Sequence, residues 1–96
     1  MLILITYDVD TKDADGRSRL RRVAKACVDY GQRVQNSVFE CLLSPKDYLK
    51  LKLRIEAIAN PQKDSVRYYR LGAEYKSKIE HFGAKPGYDP EGPLIL

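Results

Sequence analysis

Ninety-six residues suffice for one domain, near the lower limit of what folds unaided. Such a chain buries roughly two-thirds of its unfolded surface, so a partner chain would add stability. The formal charge is +4 and the pI about 9.1, a mild basic bias that fits a nucleic-acid partner.

The first stretch, Leu2 to Asp10, reads Leu-Ile-Leu-Ile-Thr-Tyr-Asp-Val-Asp and predicts a central β-strand. Alternation puts Ile3, Ile5, Tyr7 and Val9 on one face and Leu2, Leu4, Thr6, Asp8 and Asp10 on the other. The second face begins apolar and ends in carboxylates, which need a cation, a donor or water. Asp10, with Asp13 and Asp15, suits a turn into the next helix. Asp8 sits deeper, inside the apolar run, and is the first functional candidate. The run is too short to cross a bilayer and lacks a basic leader and cleavage site, so it reads as structure and gives no membrane role.

A polar loop, Thr11 to Asp15, leads through Gly16 into a helical pattern ending at Tyr30. Leu20, Val23, Ala24, Cys27 and Val28 mark its apolar side, and Gly31 stands where a left-handed residue often stops a helix. The other faces carry Arg17, Arg19, Arg21, Arg22 and Lys25 against one acid, Asp29. Gln32 to Leu43 reads as a short strand, a turn near Asn36, and a second strand from Val38 to Leu43. Ser44, Pro45 and Asp47 then open a second helix, as cap, first helical residue and dipole partner. Its core side is Tyr48, Leu51, Ile55 and Ile58, and Asn60-Pro61 ends it. Asp64 to Leu71 is another strand, closed by Gly72.

The order is β-α-β-β-α-β, an α+β sandwich of the ferredoxin-like kind, in one domain with its core in residues 1–72. The tail, 73–96, is less regular. Ile79 to Phe82 reads as a short extra strand, and the apolar residues Pro93 to Leu96 as an edge strand for a partner. Two helices cover one face of a four-stranded sheet, which leaves Leu2 and Leu4 on the open one. A homodimer packed sheet to sheet would close it. Cys27 and Cys41 lack metal-ligand spacing and read as buried, reduced thiols, which suits the cytoplasm. His81 is the only histidine, so a histidine cage or Ser-His triad is not expected.

A two-fold axis near Asp8 would bring two carboxylates together, and a divalent ion between them would supply metal-assisted phosphodiester cleavage. Asp10 and Ser37 are weaker candidates for a general base. Spacing alone carries no more than this.

Leu2 to Val9, Arg19 to Cys27, Tyr30 to Cys41 and Ser65 to Gly72 together resemble the small CRISPR-associated Cas2 family, over most of the chain up to Gly72. The resemblance implies a ferredoxin-like homodimer acting in spacer acquisition beside the Cas1 integrase. It implies metal-dependent endonuclease activity on RNA or DNA, with Asp8 of both subunits holding Mg2+, or Mn2+ in its place. It also implies that in some members the dimer is a non-catalytic scaffold bridging integrase dimers. Arg17, Arg19, Arg22 and Arg33 then become candidates for phosphate contact. Arg33 has an equal rival reading as a pair with Glu40, and Phe39 resembles a position near the active-site rim but reads first as a core aromatic. An unrelated ferredoxin-like RNA- or ligand-binding module is the third alternative. It would want exposed aromatics on its central strands, which Val38-Phe39-Glu40-Cys41 does not supply.

Overall fold

The computed structural model describes residues 1–83. Its elements run β1 (Leu2–Asp8), α1 (Ala14–Tyr30), β2 (Gln32–Gln35), β3 (Val38–Leu42), α2 (Pro45–Ile58) and β4 (Ser65–Gly72), followed by a short 3-10 turn at Lys76–Lys78. The four strands form one antiparallel sheet in the order β2-β3-β1-β4, the ferredoxin-like arrangement. β1 is therefore central, as its uninterrupted aliphatic start requires.

Local chemistry sets the helix ends. Asp13 caps α1, its Oδ1 accepting from the Gly16 amide at 2.8 Å. Ser44 Oγ accepts from the Asp47 amide at 3.2 Å at the start of α2, ahead of Pro45. Both satisfy amides that an α-helix leaves without internal partners. Ile3, Ile5, Tyr7 and Val9 pack with Phe39 and Cys41 against Val23, Ala26 and Cys27 of α1 and Leu51 and Ile55 of α2. At about 25 cal/mol per Å² of apolar surface, this helix-covered layer supplies the main drive to fold.

Several expectations change. β1 stops at Asp8 because the backbone at Asp10 turns to a side-chain acceptor, described below. β3 ends at Leu42 and β4 begins at Ser65, a residue from the expected limits. Val28 lies outside the core, half exposed, while Ala26 takes the inward position, so the apolar side of α1 is turned slightly from the one the spacing suggested. Gly31 is not left-handed but extended, at φ −161° and ψ −161°. What it supplies is room: a Cβ there would lie 2.3 Å from Cys41 Sγ and 2.6 Å from the Glu40 carbonyl oxygen. Ile79 to Phe82 forms no strand, and Phe82 is fully exposed. The apolar run from Pro93 lies outside the described residues.

The open face also differs. Leu2 is fully buried, and Leu4 partly so. Among the described residues, Leu2 and Tyr75 are buried apolar side chains that stand apart from the helix-covered core. On the same helix-free side Leu42, opposite Leu2, and Tyr69, opposite Leu4, stay more than a third exposed. No helix among the described residues is long and apolar enough to cross a membrane.

Candidate active site

β1 delivers Asp8 to the edge of the helix-free face. Its backbone pairs with Ser65, and its side chain is exposed and forms no hydrogen bond or ion pair among the described residues. Two residues back on the same face, Thr6 lies between Val38 and Arg67. The Arg67 guanidinium donates to the Tyr69 hydroxyl at 3.2 Å. The floor leading to Asp8 is therefore part apolar and part cationic, and the carboxylate stands at its wet end.

The other residues named from the sequence fall in different places. Ser37 is close: the Tyr7 amide donates to its carbonyl at 3.1 Å, which brings the β2–β3 turn beside the end of β1. Asp10 is committed to its own loop, Oδ1 accepting from the Lys12 amide at 3.0 Å, as its turn reading supposed. Phe39 lies in the core under the helices, with its ring stacked on Tyr7 at 6.1 Å between centroids, and contributes nothing to a rim. Register sets Arg33 opposite Phe39 and Gln32 opposite Glu40. The Arg33 guanidinium accordingly sits 5.1 Å above the Phe39 ring, a cation–π contact in place of the pairing with Glu40.

Arg17 and Arg22 are exposed on α1. Arg22 lines a groove of about 550 Å³ between the helices with Arg21, Lys25 and Arg54, over Ala57 and Ile58. Lys25 and Arg54 both meet Asp29, so they carry less free charge than Arg21 and Arg22. Arg19 differs. Its Nε donates to Asp64 Oδ2 at 2.8 Å and its Nη2 to Oδ1 at 3.3 Å, with the Asp64 side chain fully buried. The expectation of a phosphate contact at Arg19 gives way to a structural role. Asp64 was not singled out from the sequence. Its one local signal is a carboxylate four residues after Asn60, just before a strand.

Electrostatics separates these groups. The Arg19 guanidinium, helped by the Asn60 and Asp10 amides and opposed by burial, draws the Asp64 carboxyl down to about 2. Burial pushes the Cys27 and Cys41 thiols up to about 12, so both are inert rather than nucleophilic. Burial also raises the Tyr7 phenol, against the pull of Arg33.

A metal at Asp8 has to be judged on the donors present. No group of three His, Cys, Asp or Glu side chains converges among the described residues. One exposed, uncommitted carboxylate on a helix-free face fits an ion shared with a second chain and still largely hydrated, not a closed cage.

Comparison with known proteins gives a consistent result. The family model described as CRISPR associated protein Cas2 matches residues 1–79. The CRISPR-associated endoribonuclease Cas2 of Nitratidesulfovibrio vulgaris is 59% identical over 96 residues, all of this chain and 94% of its own length. The CRISPR-associated endonuclease Cas2 of Halalkalibacterium halodurans is 58% identical over 96 residues, the whole of both chains. Among solved structures, Streptococcus pyogenes Cas2 at pH 6.5 superposes with a TM-score of 0.76 at 51% identity, covering 86% of this chain and 100% of that one.

Proposed function

Because the chain belongs to the CRISPR-associated Cas2 family, we propose that it is a metal-dependent endonuclease of the CRISPR system. It cuts phosphodiester bonds of RNA or duplex DNA in the cytoplasm. It acts in spacer acquisition as a sheet-to-sheet homodimer beside the Cas1 integrase. The relatives' names, endoribonuclease and endonuclease, support the reaction class.

One observation carries the site: Asp8 is an exposed carboxylate without a partner among the described residues, held by a central strand on the face the helices leave open. Two such faces brought together would present two Asp8 carboxylates to one divalent ion. That ion, Mg2+ or Mn2+, would supply Lewis-acid polarisation of the phosphoryl oxygen and a more acidic bound water. The chain's own part is positional. β1 fixes where Asp8 stands, and the cations at Arg17 and Arg22 steer and hold a polyanion. Leu4, Leu42 and Tyr69 supply apolar surface for the mate.

The test compares purified parent and Asp8→Ala on single-stranded RNA and duplex DNA, with Mg2+, Mn2+ or chelator, and with light scattering to match oligomeric state. Metal-dependent cutting by the parent alone is the expected result. Equal cutting by both dimers removes Asp8 from the chemistry.

The exposed apolar residues Leu42, Tyr69, Leu49 and Leu53 favour a second reading, a dimeric DNA-binding scaffold between integrase dimers. Metal-replete parent that cuts nothing yet still binds the integrase would select it.

A further inference from the structure

The Asp64 carboxylate accepts four hydrogen bonds, from Arg19 Nε, Arg19 Nη2, the Asn60 amide and the Asp10 amide. It has no part in the cleavage chemistry above. It nevertheless joins three pieces of chain: α1 through Arg19, the end of α2 through Asn60, and the loop after β1 through Asp10. The Asp10 peptide is held from both sides, because its amide donates to Asp64 at 3.1 Å and its carbonyl accepts from Arg19 Nη2 at 3.4 Å. The first turn of α1 presses on the same carbonyl, where Gly16 leaves no room for a Cβ. Asp64 also directly precedes Ser65, the residue opposite Asp8.

We infer that Asp64, gripped by Arg19, is a positioning residue for Asp8: it clamps the backbone two residues on, so that β1 ends and Asp8 leaves the sheet at a fixed point. This rests on the nuclease reading of Asp8. The physical need is plain. A metal site shared between two chains has no internal cage to correct a misplaced ligand, so the carboxylate must be located by what lies behind it. Buried ion pairs add little net stability against apolar replacements, so rigidity of position is the better account of this one. Four donors saturate the carboxylate, two of them backbone amides with fixed directions, which leaves the loop one way to lie.

The experiment uses the full chain as parent, Asp64→Asn, Arg19→Lys and Ile55→Val. The last loosens the core away from the clamp. Each is assayed for kcat and KM with Mg2+ on single-stranded RNA and duplex DNA, and for amide hydrogen exchange in residues 9–13. Asp64→Asn should lower kcat by about tenfold or more while KM moves less than about twofold, and should speed exchange in 9–13 by about tenfold. Arg19→Lys keeps the charge but loses the two-pronged contact, and should shift both readouts in the same direction by less. Should Asp64→Asn fail to fold, Arg19→Lys carries the same expectation. Ile55→Val should leave exchange in 9–13 unchanged. Unchanged exchange in the clamp variants overturns the clamp whatever the cleavage result. Faster exchange with unchanged kcat overturns its role in placing Asp8. An equal loss of kcat in Ile55→Val overturns it as well, since general loosening would then suffice. A parent that cuts nothing counts against the nuclease reading and so against the placing of a catalytic Asp8, while exchange still decides the clamp.

Discussion

Asp8 and Asp64 stand at neighbouring positions on the same end of one sheet, and their surroundings are opposite. The Asp64 side chain is buried, accepts four hydrogen bonds, and is held ionised far below the usual carboxylate range. Asp8 is exposed and has no partner among the described residues. A carboxylate whose lone pairs are all used can organise a backbone but cannot take a new ligand. One with its lone pairs free can bind a cation but organises nothing. Division of labour between them follows from which side of β1 and β4 each occupies.

The largest effect that would sharpen this contrast is on stability. Asp64→Ala strands the Arg19 guanidinium beside the Asp10 carbonyl and should cost about 3 kcal/mol, read from urea unfolding. Asp8→Ala should move the same midpoint by no more than about 0.5 kcal/mol. Next in size is the converse: Asp8→Ala should lower metal-dependent cleavage at least about a hundredfold, roughly 2.7 kcal/mol of barrier, at matched oligomeric state. If the two substitutions behaved alike in both assays, the contrast would fail.

Acid unfolding comes third. The Asp64 carboxyl titrates at about 2 when folded, against 3.8 ordinarily. Its contribution is complete above pH 4 and is lost as the pH falls through about 2, a decrement of roughly 2 kcal/mol. Unfolding free energy followed from pH 5 to pH 2 should show this slope in the parent and a shallower one in Asp64→Asn. The smallest effect belongs to the exposed cations. Arg22→Ala should weaken nucleic-acid binding only a few-fold, and should reduce the slope of log affinity against log salt by about 0.9 for duplex DNA. Arg19→Ala should not reproduce that change in slope, because its charge already faces Asp64.

The sequence revealed these two carboxylates unequally, for a physical reason. Asp8 interrupts its own apolar run, a conflict visible within nine residues. Asp64 acquires its meaning from Arg19, 45 positions away, and from an Asp10 amide 54 positions away. No local pattern contains either distance. The same division runs through the fold. Ser44-Pro45-Asp47 and Asp13 act within one helical turn and could be read directly. Gly31 invited a helix-stop reading, but its cause is the Cys41 thiol packed against it, a tertiary fact. Arg33 and Glu40 looked like partners across a hairpin until the register, irregular between Arg33 and Gln35, set them on different rungs. Leu2 looked open because alternation says which way a side chain points, not how deeply it is buried.

Gly16 bears on how this protein could be engineered. Replacing a helical glycine by alanine is a standard route to thermostability, worth up to about 1 kcal/mol. At Gly16 the added methyl would lie 1.9 Å from the Asp10 carbonyl oxygen. It could fit only by prising α1 away from the end of β1. A stabilisation campaign guided by helix propensity would therefore begin by dislodging the strand end that carries Asp8.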